Sequence, residues 1–111
     1  MKKFGFAFKG LVFFFRNELN AKIHSVISVF VIVSGFYFQI SVYEWGLVSF
    51  AIALVFTAEI INTAIEKIMD MVHPEKDIRV GNIKDLAAGA VLFASIVSAI
   101  IGLIVFIPHL M

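Results

Sequence analysis

Four polar side chains recur along one otherwise apolar stretch of the chain: Glu59, Asn62, Glu66 and Asp70. Their spacings of three, four and four residues stack them on one face of an α-helix, because each residue advances about 100°. Three carboxylates and an amide on one stripe offer the oxygen ligands that a hard cation such as Mg²⁺ takes, and Mg²⁺ commonly bridges substrate phosphates. Glu59 differs in depth. It lies on the order of 10 Å farther into the apolar stretch than Glu66. A carboxylate there must be protonated, paired or ligated, since an ionisable group in hydrocarbon is expensive and marks a functional site by default. Such a setting also suits a general base working near neutral pH. Taken singly, the other residues have plainer readings. Asn62 can bond across a helix interface, and Glu66 and Asp70 can sit solvated at the membrane surface.

Two further polar groups flank apolar stretches. Glu18 and Lys22 are four residues apart, as are Asn20 and His24, so two helix faces are polar at this junction. The plainer account has Lys22 snorkelling, Glu18 paired with Lys22, and His24 satisfying an interfacial backbone group. Lys84 and Asp85 precede the last apolar stretch. The lysine can meet the phosphates of ATP and the aspartate a metal or an amine; alone, the pair is an ordinary anchor with a helix-starting acid. No Walker-type loop and no kinase glycine-rich loop is present. Three histidines without a motif make no zinc site, and the absence of cysteine removes thiolate ligands and nucleophiles. Any phosphate chemistry must therefore be assembled on membrane helices.

The elements that position these groups follow from composition. The 111 residues make one domain at most, so 1–111 is read as a single membrane-embedded unit. Apolar residues form 61% of the chain and mean hydropathy is +1.02, more than so short a soluble domain can hide. Three stretches reach the roughly 20 apolar residues needed to span a bilayer: about 23–43, about 45–69 and about 86–107. Ahead of them, about 4–19 reads as an amphipathic surface helix, with Phe4, Phe8, Leu11 and Phe15 at helical spacing and Lys9 and Arg16 among the other positions. The expected fold is an all-α integral membrane protein. A polar loop is expected over roughly 70–85, with a stop at His73–Pro74 and a turn at Gly81. The first ten residues are read as mature sequence, because Lys9 and Arg16 interrupt any signal-peptide core. Lys2, Lys3, Lys9, Arg16 and Lys22 precede the first span, and Lys67, Lys76, Arg79 and Lys84 surround the second loop. All nine basic residues thus fall on one side, which the positive-inside rule makes cytoplasmic, with the C-terminus external. A net charge of +1 without a basic stripe gives no reason to expect nucleic acid as a partner.

Three segments carry a resemblance: Glu59-Ile-Ile-Asn-Thr-Ala-Ile-Glu66 followed by Asp70, Lys84-Asp-Leu-Ala-Ala-Gly-Ala-Val91, and Glu18-Leu-Asn-Ala-Lys-Ile-His24. With Gly5-Phe-Ala-Phe-Lys-Gly-Leu11 at the surface-helix start, they resemble the prokaryotic diacylglycerol kinases, the small membrane kinases that include undecaprenol kinases. The resemblance implies a homotrimer in the bacterial cytoplasmic membrane, with composite sites between subunits, that phosphorylates undecaprenol or diacylglycerol from ATP with Mg²⁺. By the same resemblance Glu59 is the catalytic base and Asn62 supports it. Glu18 and Glu66 hold metal, and Lys84, Asp85 and Glu18 contact the nucleotide. Asn20, His24 and Asp70 are supporting positions. The Glu18–His24 junction is more similar to the undecaprenol branch. Ala7 departs from members with a serine near the nucleotide. The rival reading is a small oligomeric proton or cation conductor lined by Glu59 and Asn62, although the outer half of each span offers no matching polar residues to continue a path.

Overall fold

A computed structural model describes residues 2–111 as four helices; Met1, first residue of the segment read as mature sequence, lies outside the described residues. Helix α1 spans Lys2–Asn17, α2 Leu19–Phe38, α3 Val42–Val72 and α4 Ile78–Leu110. The last three are each long and apolar enough to cross a membrane. With 20 residues, α2 matches the roughly 30 Å of a hydrocarbon core. With 31 and 33 residues, α3 and α4 exceed it by several turns. Their surplus carries polar residues beyond the apolar layer, and the longest dimension of the molecule is accordingly 52 Å.

Local chemistry sets the boundaries, and several differ from the expectation. A single extended residue, Glu18, separates α1 from α2 (φ −97°, ψ 124°). The first long helix ends at Phe38 instead of near Tyr43, because Gln39 adopts the left-handed conformation (φ 52°) and caps it. Ser41 then opens α3 with a capping box: its hydroxyl accepts from the Glu44 N–H, and the Glu44 carboxylate accepts from the Ser41 N–H. The polar loop shrinks to 73–77. Asp70 still belongs to α3, while Asp77 caps α4 by accepting from the Arg79 N–H at 2.7 Å. Gly81 makes no turn and lies inside α4.

Helices α3 and α4 pack along one another, α2 leans on α3, and α1 touches α2. Ser98 of α4 donates to the Ala51 carbonyl of α3 at 3.0 Å, and His109 near the end of α4 meets Glu44 at 2.9 Å. Around that end Ile40, Val48 and Val105 form the buried core, with Phe38, Trp45 and Phe106 against it. Gly35 lets α2 approach closely there. A Cβ at this position would come within 2.6 Å of the Trp45 ring and 3.1 Å of Ile40. Gly35→Ala is therefore expected to displace Trp45 and cost about 1–3 kcal/mol through overpacking, read as a lower thermal midpoint in detergent.

Candidate active site

Glu59 sits on the face of α3 that turns toward α2 and is only 3% exposed. One side chain from α2 reaches it: His24 Nε2 lies 3.2 Å from Glu59 Oε1. The imidazole is wedged edge-on to Phe56, which in turn packs on Phe15 of α1. Two helices thus meet at the carboxylate, with α1 backing the aromatic ring beside it. The junction that brings His24 there is the break at Glu18, since α2 starts one residue later and carries His24 on its second turn.

One turn along α3, Asn62 is 7% exposed and donates from Nδ2 to Glu66 Oε1 at 2.7 Å. Its Oδ1 is buried without a partner among the described residues. An unsatisfied buried acceptor costs roughly 1–3 kcal/mol, so it marks a place where a donor is missing. Glu66 itself is exposed.

Glu18 occupies the N-cap position of α2 yet makes no capping bond with its side chain. The carboxylate instead faces Lys67 of α3 at 3.5 Å, and Lys67 also lies 5.2 Å over the Phe13 ring of α1. The Glu18–Lys22 pair of the plainer account is not formed among the described residues; a backbone bond joins the two, Lys22 N–H to Glu18 carbonyl. Lys67 is the site residue that sequence reasoning passed over. Its signal was its place directly after Glu66, on a helix edge facing the junction.

Lys84 of α4 is ion-paired with Asp70 of α3. Together they border a polar recess of about 430 Å³ that His73, Lys76, Asp77 and Gly81 also line. Within it, hydrogen bonds from the Arg79 guanidinium first, and then from the Arg79 backbone N–H, hold the Asp77 carboxyl below the ordinary aspartate range. Asn20 and Asp85 are exposed, and no side-chain hydrogen bond ties them among the described residues. On the other side of His24 opens an apolar crevice of about 350 Å³ between α2, α3 and α4, lined by Ile27, Ser28, Val55 and Ser98 among others.

The chain therefore gathers Glu59, Asn62, Glu66 and His24 on two facing helices, and ties Glu18 and Asp70 to lysines beside them. Among the described residues no three His, Asp or Glu side chains converge as a metal cage. Mg²⁺ does not require one, because it keeps several waters and takes one or two carboxylates plus phosphate oxygens. Glu66, exposed and oriented by Asn62, suits such a partial shell. Glu18 suits it once Lys67 yields.

Residues 5–106 match the family described as prokaryotic diacylglycerol kinase. An undecaprenol kinase of Bacillus subtilis is 35% identical over 109 residues, covering 98% of this chain and 89% of that protein. A diacylglycerol kinase of Synechocystis is 30% identical, covering 97% of this chain and 62% of that protein. The diacylglycerol kinase of Escherichia coli K12 is 29% identical, covering 98% and 89%.

Asn62 has one satisfied and one unpartnered polar end, and the two generate a stability prediction. Loss of its bond to the Glu66 carboxylate costs about 1.5–3 kcal/mol, while removal of the unpaired Oδ1 returns about 1–3 kcal/mol. Asn62→Leu is therefore expected to leave stability within about 1 kcal/mol of wild type, read as a nearly unchanged thermal midpoint in detergent. A larger fall would show that the terms do not offset.

Proposed function

The chain belongs to the prokaryotic diacylglycerol kinase family and is a lipid kinase, and on that footing we propose that it transfers the γ-phosphoryl group of ATP to the primary hydroxyl of undecaprenol. The observation that carries this reading is the buried Glu59, 3% exposed in a helix otherwise apolar around it. In the proposed reaction Glu59 accepts the proton of the lipid hydroxyl. The lipid oxygen then bonds to the γ-phosphorus as the bond to the ADP oxygen breaks. Phosphoryl transfer asks little else of a protein than positioning and charge stabilisation.

The remaining residues divide that work. Glu18 and Glu66 would hold Mg²⁺, whose chemistry is to offset charge on the phosphate oxygens. Asn62 orients Glu66 through its 2.7 Å bond and offers Oδ1 to a donor in the assembled site. Lys84 and Asp85, with Glu18, contact the nucleotide, and the recess beside Lys84 supports that assignment. Asp70 holds Lys84 in reach, and Asn20 and His24 support the junction.

The same reading gives the setting. Residues 1–111 act as one unit in the bacterial cytoplasmic membrane, the N-terminus and all nine basic residues on the cytoplasmic side and the C-terminus external. Helix α1 lies in the headgroup layer as an amphipathic helix; its exposed Phe4, Phe8 and Leu11 support this. The chain assembles as a homotrimer, as the family resemblance implies, and its broad exposed apolar faces offer surface for such contacts. Undecaprenol is favoured over diacylglycerol by the Glu18–His24 junction and by the higher identity to the Bacillus subtilis undecaprenol kinase.

Purified protein incubated with ATP, Mg²⁺ and either undecaprenol or diacylglycerol in mixed micelles tests this. Undecaprenol is expected to turn over faster. Glu59→Gln is expected to lower kcat by about 10²–10⁴-fold, the usual worth of a general base, with an unaltered oligomeric state by light scattering. Turnover of the variant close to wild type would remove Glu59 from the role.

A further inference from the structure

We propose that His24 is the positioning residue of the base: its ring N–H holds one oxygen of Glu59, keeping the group a carboxylate inside the bundle and leaving its second oxygen for the lipid hydroxyl. The proposal rests on the reading of Glu59 as base and adds a residue to it.

The geometry is direct. His24 Nε2 is 3.2 Å from Glu59 Oε1, and no other side chain bonds to Glu59 among the described residues. When Glu59 is ionised it only accepts hydrogen bonds, so in that state the Nε2 facing it carries the hydrogen. A bond of that kind favours the charged form of the acceptor. No lysine or arginine performs this service. Lys67 is spent on Glu18 and the Phe13 ring, and Lys84 on Asp70.

The ring is also fixed and placed at a boundary. Phe56 meets it edge-on at 6.2 Å between centroids, which limits rotation away from Glu59. The imidazole side chain is 23% exposed, against 4% for that of Glu59, so it stands between the carboxylate and the outside. It also lines the inner end of the apolar crevice. A base on this spot meets a hydroxyl whose hydrocarbon approaches from the lipid side. Histidine suits the task better than a permanent cation. It supplies a donor without adding an obligatory charge that the apolar surroundings would have to accommodate.

The test compares His24→Phe, His24→Gln, Glu59→Gln and the double variant His24→Phe/Glu59→Gln in lipid bicelles, by infrared spectroscopy and steady-state kinetics. For His24→Phe the carbonyl stretch of a protonated carboxylic acid is expected to appear, and to be absent from the double variant, which assigns it to Glu59. Its kcat is expected to fall about 10- to 100-fold, up to the lower part of what a general base contributes, with KM for ATP unchanged. His24→Gln retains an N–H donor and is expected to recover part of kcat and to suppress the acid band. Wild-type kcat in His24→Phe overturns the proposal. So does loss of activity without the acid band, because the ring would then only fill space. If Glu59→Gln itself turns over normally, the base reading fails first; if it is inactive while His24→Phe is not, only the role of His24 falls.

Discussion

A carboxylate that is almost wholly removed from solvent has few ways to remain there. Glu59 has one hydrogen-bond partner among the described residues, on the opposing helix, and its nearest polar neighbours along α3 face the same way. That requirement fixes how α2 and α3 must meet, since a shift of α2 by one residue would carry His24 about 100° around the helix and away from its partner. The extended Glu18 enforces the register by ending α1 one residue before α2 begins. The same break frees the Glu18 side chain from capping, and so a structural punctuation mark becomes part of the site.

Polar groups are unevenly distributed along α3. Near Ser41 the helix is fixed by a capping box, by His109 on Glu44, and by a dry cluster around Val48 and Val105. From Glu59 onward it is held by contacts among charged and amide groups. Lys67 joins three elements there: it belongs to α3, meets the carboxylate at the α1–α2 break, and covers an aromatic ring of α1. Phe13 of α1 thus meets α3 through that ammonium group, and Phe15 meets it through the Phe56 ring.

Much of this was legible in the residues. The three apolar stretches, the stop at His73–Pro74, and the polar stripe from Glu59 to Asp70 follow from periodicity and side-chain cost alone. The boundaries were less legible, for specific reasons. Ser41-Val-Tyr-Glu44 is a capping-box pattern, but apolar count alone runs the first span through it, because a cap changes backbone direction without interrupting hydropathy. Gly81 suggested a turn, yet Asp77 had already started α4, and a helix tolerates one glycine at a cost of about 1 kcal/mol. Partners across helices were the hardest to read. Spacing alone offers Glu18 a partner in Lys22 four residues on, whereas the break at Glu18 removes the helical geometry that rule assumes, and the carboxylate faces Lys67. The roles proposed for Asn20 and Asp85 gain nothing from the fold, because among the described residues no side-chain hydrogen bond ties either of them.

The two ends of the molecule are fastened by different means, and stiffness follows. Around Gly35 and Trp45 the helices are clamped by close hydrocarbon packing, which neither salt nor a nucleotide can dissolve. At the far end the fasteners are ion pairs with partly exposed members, Lys67 with Glu18 and Lys84 with Asp70, of the kind water and ions loosen at little cost. The bundle is thus riveted at its greasy end and only buttoned at the other, so dissolved salt slackens the second long before it touches the first.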